Sequence, residues 1–90
     1  VGINTMTRSF ARAFAASVVT VNAVAPGIVM TDMIAKTMST DRVSEITEQM
    51  PIGRVTEAAE IAAAVAYLCS DDAASITGHV LDINGGMLMR

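Results

Sequence analysis

The sequence predicts an α/β architecture in which parallel strands are covered by helices. Three observations carry this expectation. Residues 3–17 repeat apolar side chains at helical spacing, and residues 18–24 form a β-branched run that is apolar on both faces. A helical stretch at 57–69 then leads into a second strand at 79–83. Two strands joined by a long connection that contains a helix imply parallel pairing and a right-handed crossover.

Each element has its own signal. In the first helix, Ile3, Met6, Phe10, Ala13 and Phe14 make the apolar stripe, with Arg8 and Arg12 away from it. The run Val18-Val19-Thr20-Val21-Asn22-Ala23-Val24 suits a strand buried on both sides, and Ala25-Pro26-Gly27 is expected to end it. The segment from Thr31 to Met50 is less regular. Thr31 and Asp32 can cap a short helical turn through Lys36; Ser39, Thr40 and Asp41 can cap another with Val43, Ile46 and Met50 on its apolar edge. Pro51-Ile52-Gly53-Arg54 reads as a loop. Thr56 is expected to cap the helix Glu57–Cys69, whose residues Ile61, Val65 and Leu68 share a face. Residues 71–76 read as a turn or short helix, and Asn84-Gly85-Gly86 stops the last strand.

Composition bounds the function. The chain has 90 residues, of which 52% are hydrophobic and 17% charged, with a net charge of −3. Disorder is excluded by that apolar fraction. Nucleic-acid binding calls for a clustered basic face, and here Arg8, Arg12, Lys36, Arg42, Arg54 and Arg90 are scattered. No apolar stretch reaches the ~18 residues of a membrane span, so no membrane partner is expected. The lone Cys69 fits a reducing compartment, and the expected location is cytoplasmic. Strands buried on both faces need neighbours, and a stable sheet usually needs three or more strands. The expectation is therefore the last part of a larger α/β domain.

In an open parallel sheet, ligands bind beyond the carboxyl ends of the strands. The first strand delivers Pro26, Gly27, Ile28 and Val29 to that end, followed by Thr31 at a helix start where anions are favoured. Two readings of this stretch stand: a ligand-facing loop, or a strand-ending turn with a helix cap. Elsewhere the plainer reading leads. No glycine pattern of the G-x-G-x-x-G kind occurs. His79 is alone, with Asp82 on the opposite strand face, so no metal site is expected. Glu57 and Glu60 suit the helix dipole, and Asp71-Asp72 suits a solvated turn. Met30, Met33, Met38 and Met50 either pack or offer adaptable apolar surface of the kind used around an acyl chain. Cys69 carries no sign of activation, and no catalytic residue is assigned within the chain.

The string Thr20-Val21-Asn22-Ala23-Val24-Ala25-Pro26-Gly27, with Thr31-Asp32-Met33 after it, resembles the short-chain dehydrogenase/reductase family. So do Pro51-Ile52-Gly53-Arg54, Glu60-Ile61-Ala62, Ser70-Asp71-Asp72-Ala73-Ala74, Ile76-Thr77-Gly78 and Asp82-Ile83-Asn84-Gly85-Gly86-Met87. The resemblance covers essentially the whole chain and is strongest to the 3-oxoacyl-[acyl-carrier-protein] reductase branch. It implies a Rossmann-type, doubly wound parallel sheet of which residues 1–90 form the carboxyl-terminal part: the last two strands and their helices. The amino-terminal dinucleotide-binding half is expected to be absent, together with the catalytic Asn, Ser and Tyr-x-x-x-Lys, and Val1 is expected to follow that Lys.

The resemblance also implies roles. Pro26, Gly27, Ile28, Val29 and Thr31 would border an NADP cofactor (NAD is the alternative), Val29 through its backbone and Thr31 through its hydroxyl. Residues 32–50 would form a mobile lid over a 3-oxoacyl thioester or similar ketone. The first helix, the helix 57–69 and the last strand would make homotetramer contacts. An acyl carrier protein is a further implied partner, although Ser17 and Val18 stand where that branch has a basic residue and a glycine. Two rival readings remain: a non-catalytic truncated fragment that docks on an intact homologue, or another family member acting on a sugar, steroid or small alcohol.

Overall fold

A computed structural model describes residues 2–89. Val1, expected to follow a catalytic lysine, and Arg90 lie outside the described residues. Helix α1 spans Gly2–Phe14 and ends in a 3-10 turn at Ala15–Ser17. Its apolar stripe forms as expected, and Phe10 and Phe14 bring their ring centroids to 6.2 Å. The stripe faces outward, however: Ile3, Met6, Phe10 and Phe14 are all exposed, while Thr7 and Ala11 are buried. A Cβ built on Gly78 would lie 3.5 Å from the Ala11 side chain, so α1 meets the turn before the last strand through its small residues.

The first strand is shorter and later than the β-branched run suggests. Strand β1 is Ala23–Pro26, not 18–24, and Pro26 is its last residue. The cause lies in residues 18–22. Val18 adopts φ 60°, the left-handed region, and its N–H bonds to the Ala15 carbonyl at 3.1 Å, capping the helical turn. Val21 and Asn22 then run beside residues 76–79, joined by one backbone bond, from the Gly78 N–H to the Val21 carbonyl at 2.8 Å, and otherwise through side chains. The Val21 N–H donates to Thr77 Oγ1 at 3.0 Å, Asn22 Nδ2 donates to the Ile76 carbonyl at 2.9 Å, and the His79 N–H donates to Asn22 Oδ1 at 3.0 Å. The regular strand ladder follows, with the Ala23 N–H on the His79 carbonyl at 2.9 Å. Burial on both faces also fails within this chain, since Val18 is 93% exposed.

After β1 the chain forms a two-residue strand, β2 (Val29–Met30), and then two short helices, α2 (Asp32–Thr37) and α3 (Thr40–Gln49). Their caps are those the sequence suggests: Thr31 Oγ1 accepts the Ile34 N–H and Ser39 Oγ the Arg42 N–H, both at 3.2 Å. Strand β3 (Thr56–Glu57), which the sequence did not suggest, pairs parallel with β2, Val29 opposite Thr56 and Met30 opposite Glu57. Helix α4 spans Ala58–Leu68 and is capped by Glu57, not Thr56. Thr56 is drawn into β3 and buried there. A 3-10 turn at Asp71–Ala73 leads to β4 (Val80–Ile83), which pairs parallel with β1 from Ala23 opposite Val80 to Pro26 opposite Ile83.

The core is thin. Among the described residues, Ile46, Met50, Ala11 and Ala73 are the buried apolar ones, and each strand pair has two members. The chain exposes 6288 Å², where a closed monomer of this mass exposes about 5,000 Å². Its radius of gyration is 15.7 Å, against about 12 Å for a compact domain of this length.

Ahead of α4, Arg54 grips Glu60 with both terminal guanidinium nitrogens, at 2.6 and 2.9 Å, while Glu60 Oε2 accepts the Glu57 N–H at 2.7 Å. The Arg54 bonds first, and the Glu57 amide second, hold the Glu60 carboxyl at about 2 instead of 4.5. A carboxylate held low stabilises the fold above its ordinary value and loses that contribution as acid protonates it. Stability is therefore expected to fall as pH drops from 4.5 towards about 2, and Glu60→Gln is expected to flatten that part of a denaturation-versus-pH profile. Val18→Gly removes a β-branched side chain from a left-handed conformation and is expected to stabilise by about 1 kcal/mol in urea unfolding. A lower midpoint would contradict the strain.

Candidate functional site

Parallel pairing of β1 with β4 brings the carboxyl ends of both strands to one edge. There the chain turns at Gly27, whose N–H donates to the Ile83 carbonyl at 3.0 Å. A Cβ on Gly27 would stand 2.7 Å from Asn84 Cβ and 3.1 Å from Asn84 Cα. Glycine is thus required here by the neighbouring turn. Ile28, Val29 and Met30 follow, half-buried, and Thr31 is exposed. All five expected cofactor-side residues, Pro26, Gly27, Ile28, Val29 and Thr31, therefore lie on one stretch at the carboxyl edge of the β1–β4 pair.

The α2–α3 segment sits over this stretch. Ile28 and Met30 meet Ile34 and Met38 of the first piece and Val43 and Ile46 of the second around an apolar crevice too narrow for water. The four methionines of this region divide their roles. Met50 is buried, Met30 and Met38 line the crevice, and Met33 points outward with 73% of its surface exposed.

Sequence reasoning read Asn84-Gly85-Gly86 only as a strand stop. The structure makes it a scaffold. Asn84 Oδ1 accepts the Gly86 N–H at 3.0 Å and its Nδ2 donates to the Leu88 carbonyl at 3.0 Å. Gly85 and Gly86 have φ of 63° and 86°, which few other residues adopt. The Gly85 carbonyl accepts the Ile52 N–H at 3.2 Å, fastening the end of the α2–α3 segment. An Asn followed by two glycines was the available signal, since Asn side chains close such turns on their own backbone.

The structure places the remaining candidates as follows. His79 uses its backbone N–H on Asn22, Cys69 is the exposed C-cap of α4, and Glu60 serves the helix start. Among the described residues no cluster of three metal-ligating side chains exists.

The family profile described as "Enoyl-(Acyl carrier protein) reductase" matches residues 1–88. The 3-oxoacyl-[acyl-carrier-protein] reductase FabG of Escherichia coli (strain K12) is 49% identical over 88 residues, and that of Pseudomonas aeruginosa is 43% identical. The crystal structure of a Brucella melitensis protein titled short-chain dehydrogenase/reductase SDR:Glucose/ribitol dehydrogenase superposes with a TM-score of 0.86 at 36% identity, covering 99% of this chain. The chain belongs to the short-chain dehydrogenase/reductase family. The Rossmann-type α/β fold follows from the same superposition. Measured against other short-chain dehydrogenase/reductase chains, it spans about a third of their length, 36% of the E. coli relative and 36% of the Brucella chain.

The Gly27–Asn84 contact is open to direct test. Gly27→Ala forces a methyl group into backbone and Cβ atoms that cannot swing away. It is expected to destabilise by about 1–3 kcal/mol, read as a lower midpoint in urea unfolding.

Proposed function

We propose that these residues are the carboxyl-terminal part of an NAD(P)-dependent carbonyl reductase, with residues 26–31 as one wall of its nicotinamide pocket. The observation that carries the reading is the continuous stretch Pro26–Thr31 at the carboxyl edge of a parallel sheet, the place where open α/β sheets bind ligands. The residues fit the group. Thr31 Oγ1 spends one lone pair on the Ile34 N–H and keeps its own proton to donate outward to an amide or phosphate oxygen. Ile28, Val29 and Met30 give a half-buried apolar wall that suits a flat ring and excludes water.

A bound nicotinamide supplies the hydride for reduction of a carbonyl. The chain's own part is to position and enclose: Pro26 fixes the exit from the strand, Val29 offers its backbone to the carboxamide, Thr31 orients the cofactor, and residues 32–50 act as the lid over the substrate. The proton donor is not among these residues. The tyrosine of the chain, Tyr67, has no lysine four positions on, and Lys36 is the one lysine. The Tyr-x-x-x-Lys pair, the Asn and Ser, and the glycine-rich dinucleotide loop belong to an upstream half.

Several observations support this division. Two-stranded pairs, a surface well above that of a closed domain, and the exposed Ile3, Met6, Phe10 and Phe14 on α1 all call for protein cover. The upstream strands would cover part of it and a homotetramer the rest, through α1, α4 and β4. The similarity to FabG favours a 3-oxoacyl thioester carried by an acyl carrier protein, reduced with NADPH in the cytoplasm. The Brucella neighbour, titled a glucose/ribitol dehydrogenase, favours a sugar or polyol as the second reading.

The test uses the full-length protein carrying these residues. It is expected to oxidise NADPH with a 3-oxoacyl thioester, and Thr31→Val is expected to weaken NADPH binding by roughly 3- to 10-fold, the worth of one hydrogen bond. The isolated 90-residue chain is expected to show no turnover. Turnover by the isolated chain, or NADPH binding indifferent to Thr31→Val, would sink the assignment.

A further inference from the structure

The geometry points to Asn84 as a positioning residue that ties the base of the α2–α3 segment to the Pro26–Gly27 turn. Three sets of contacts meet at this residue. Its Cα and Cβ fill the space that any side chain at position 27 would need. Its amide group closes the turn after β4 twice, accepting from the Gly86 N–H and donating to the Leu88 carbonyl, each at 3.0 Å. Its backbone carbonyl accepts the Met87 N–H at 3.2 Å.

The turn so closed has a second customer. Gly85 presents its carbonyl to the Ile52 N–H at 3.2 Å, and a Cβ on Gly85 would meet Met50 Cε and Ile52 Cγ1 at 2.6 and 3.1 Å. Pro51 lies equally close to Gly86, with 3.1 Å from a Cβ built there. Residues 50–52 are where the chain leaves α3. The end of that segment therefore rests on a turn whose shape Asn84 sets, while the same residue abuts the strand exit on its other side. Neither Asn84 nor its turn needs to touch a ligand to act. It fixes the spacing between Gly27 and Ile52, and hence between the stretch 26–31 and the helices above it.

The inference rests on the proposed function only in calling these two places cofactor wall and lid base. Amide hydrogen exchange on the ligand-free full-length protein tests it without reference to activity. Asn84→Ala keeps the Cβ against Gly27 and removes both side-chain hydrogen bonds. It is expected to speed exchange at Gly27 and Ile52 together by about tenfold, leaving the α4 amides unchanged. Asn84→Asp retains an acceptor for the Gly86 N–H and is expected to stay near the wild type. NADPH binding is expected to weaken about tenfold in the alanine variant and little in the aspartate variant.

Acceleration confined to Gly86 and Met87 would overturn the inference, and so would acceleration spread equally over α4. Where the alanine variant does not fold, the wild type decides. NADPH should then slow exchange at Gly27 and Ile52 alike, and protection of Gly27 alone would overturn the link. If the wild type fails to bind NADPH, the proposed function falls, while the exchange of the aspartate variant still decides the role of Asn84. Faster exchange at Gly27 and Ile52 in that variant, equal to loss of the whole side chain, would count against the Gly86 bond as the lock.

Discussion

Parallel pairing between β1 and β4 is the constraint on which everything else rests. Two parallel neighbours cannot be joined by a tight turn, so all of residues 27–79 must travel back along the sheet before β4 begins. That return journey is made by α4, and its outward leg is the α2–α3 segment. Because both strands point the same way, their ends deliver Gly27 and Asn84 to the same edge. A site at that edge is a consequence of topology before any side chain is considered.

Secondary contacts refine this frame without carrying it. The β2–β3 pair is two residues long on each side, enough to bring Thr56 inward and to aim Glu57 at the start of α4. Arg54 and Glu60 then fix the helix entry from the solvent side, where an exposed ion pair contributes modestly. The hydrophobic contribution is left to the few residues the chain can bury by itself, Ile46 and Met50 foremost.

Much of this was legible in the sequence, for identifiable reasons. Ser39 and Thr31 announced their helices because a hydroxyl before a run of helix formers has one good local use. The stretch 26–31 was legible because a Pro-Gly pair after apolar residues marks a strand exit. The position of β1 was not, because periodicity and β-branching report where a strand can form and not where its partner's ladder begins; at Val21 and Asn22 the side chains of Asn22 and Thr77 interleave with a backbone bond from Gly78 and break the regular ladder. The outward stripe of α1 was equally hidden, since amphipathicity does not say which element will cover it. Asn84 went unread because its importance lies in residues far along the chain, Gly27 and Ile52, which no local pattern connects.

The crevice beneath α2 and α3 is lined by aliphatic and thioether groups, while the side-chain hydrogen bonds of Thr31, Thr37, Ser39 and Thr47 stay within those helices and their caps. Aliphatic contact has no preferred direction, so within the reach that the Ile52–Gly85 bond allows, the two helices can shift across Ile28 and Met30 without breaking a bond to that surface. Settling onto that surface removes hydrocarbon from water and lowers the heat capacity. Cooling therefore loosens the seat of these helices and moderate warming tightens it, giving the segment a temperature response opposite to that of a latch made of hydrogen bonds.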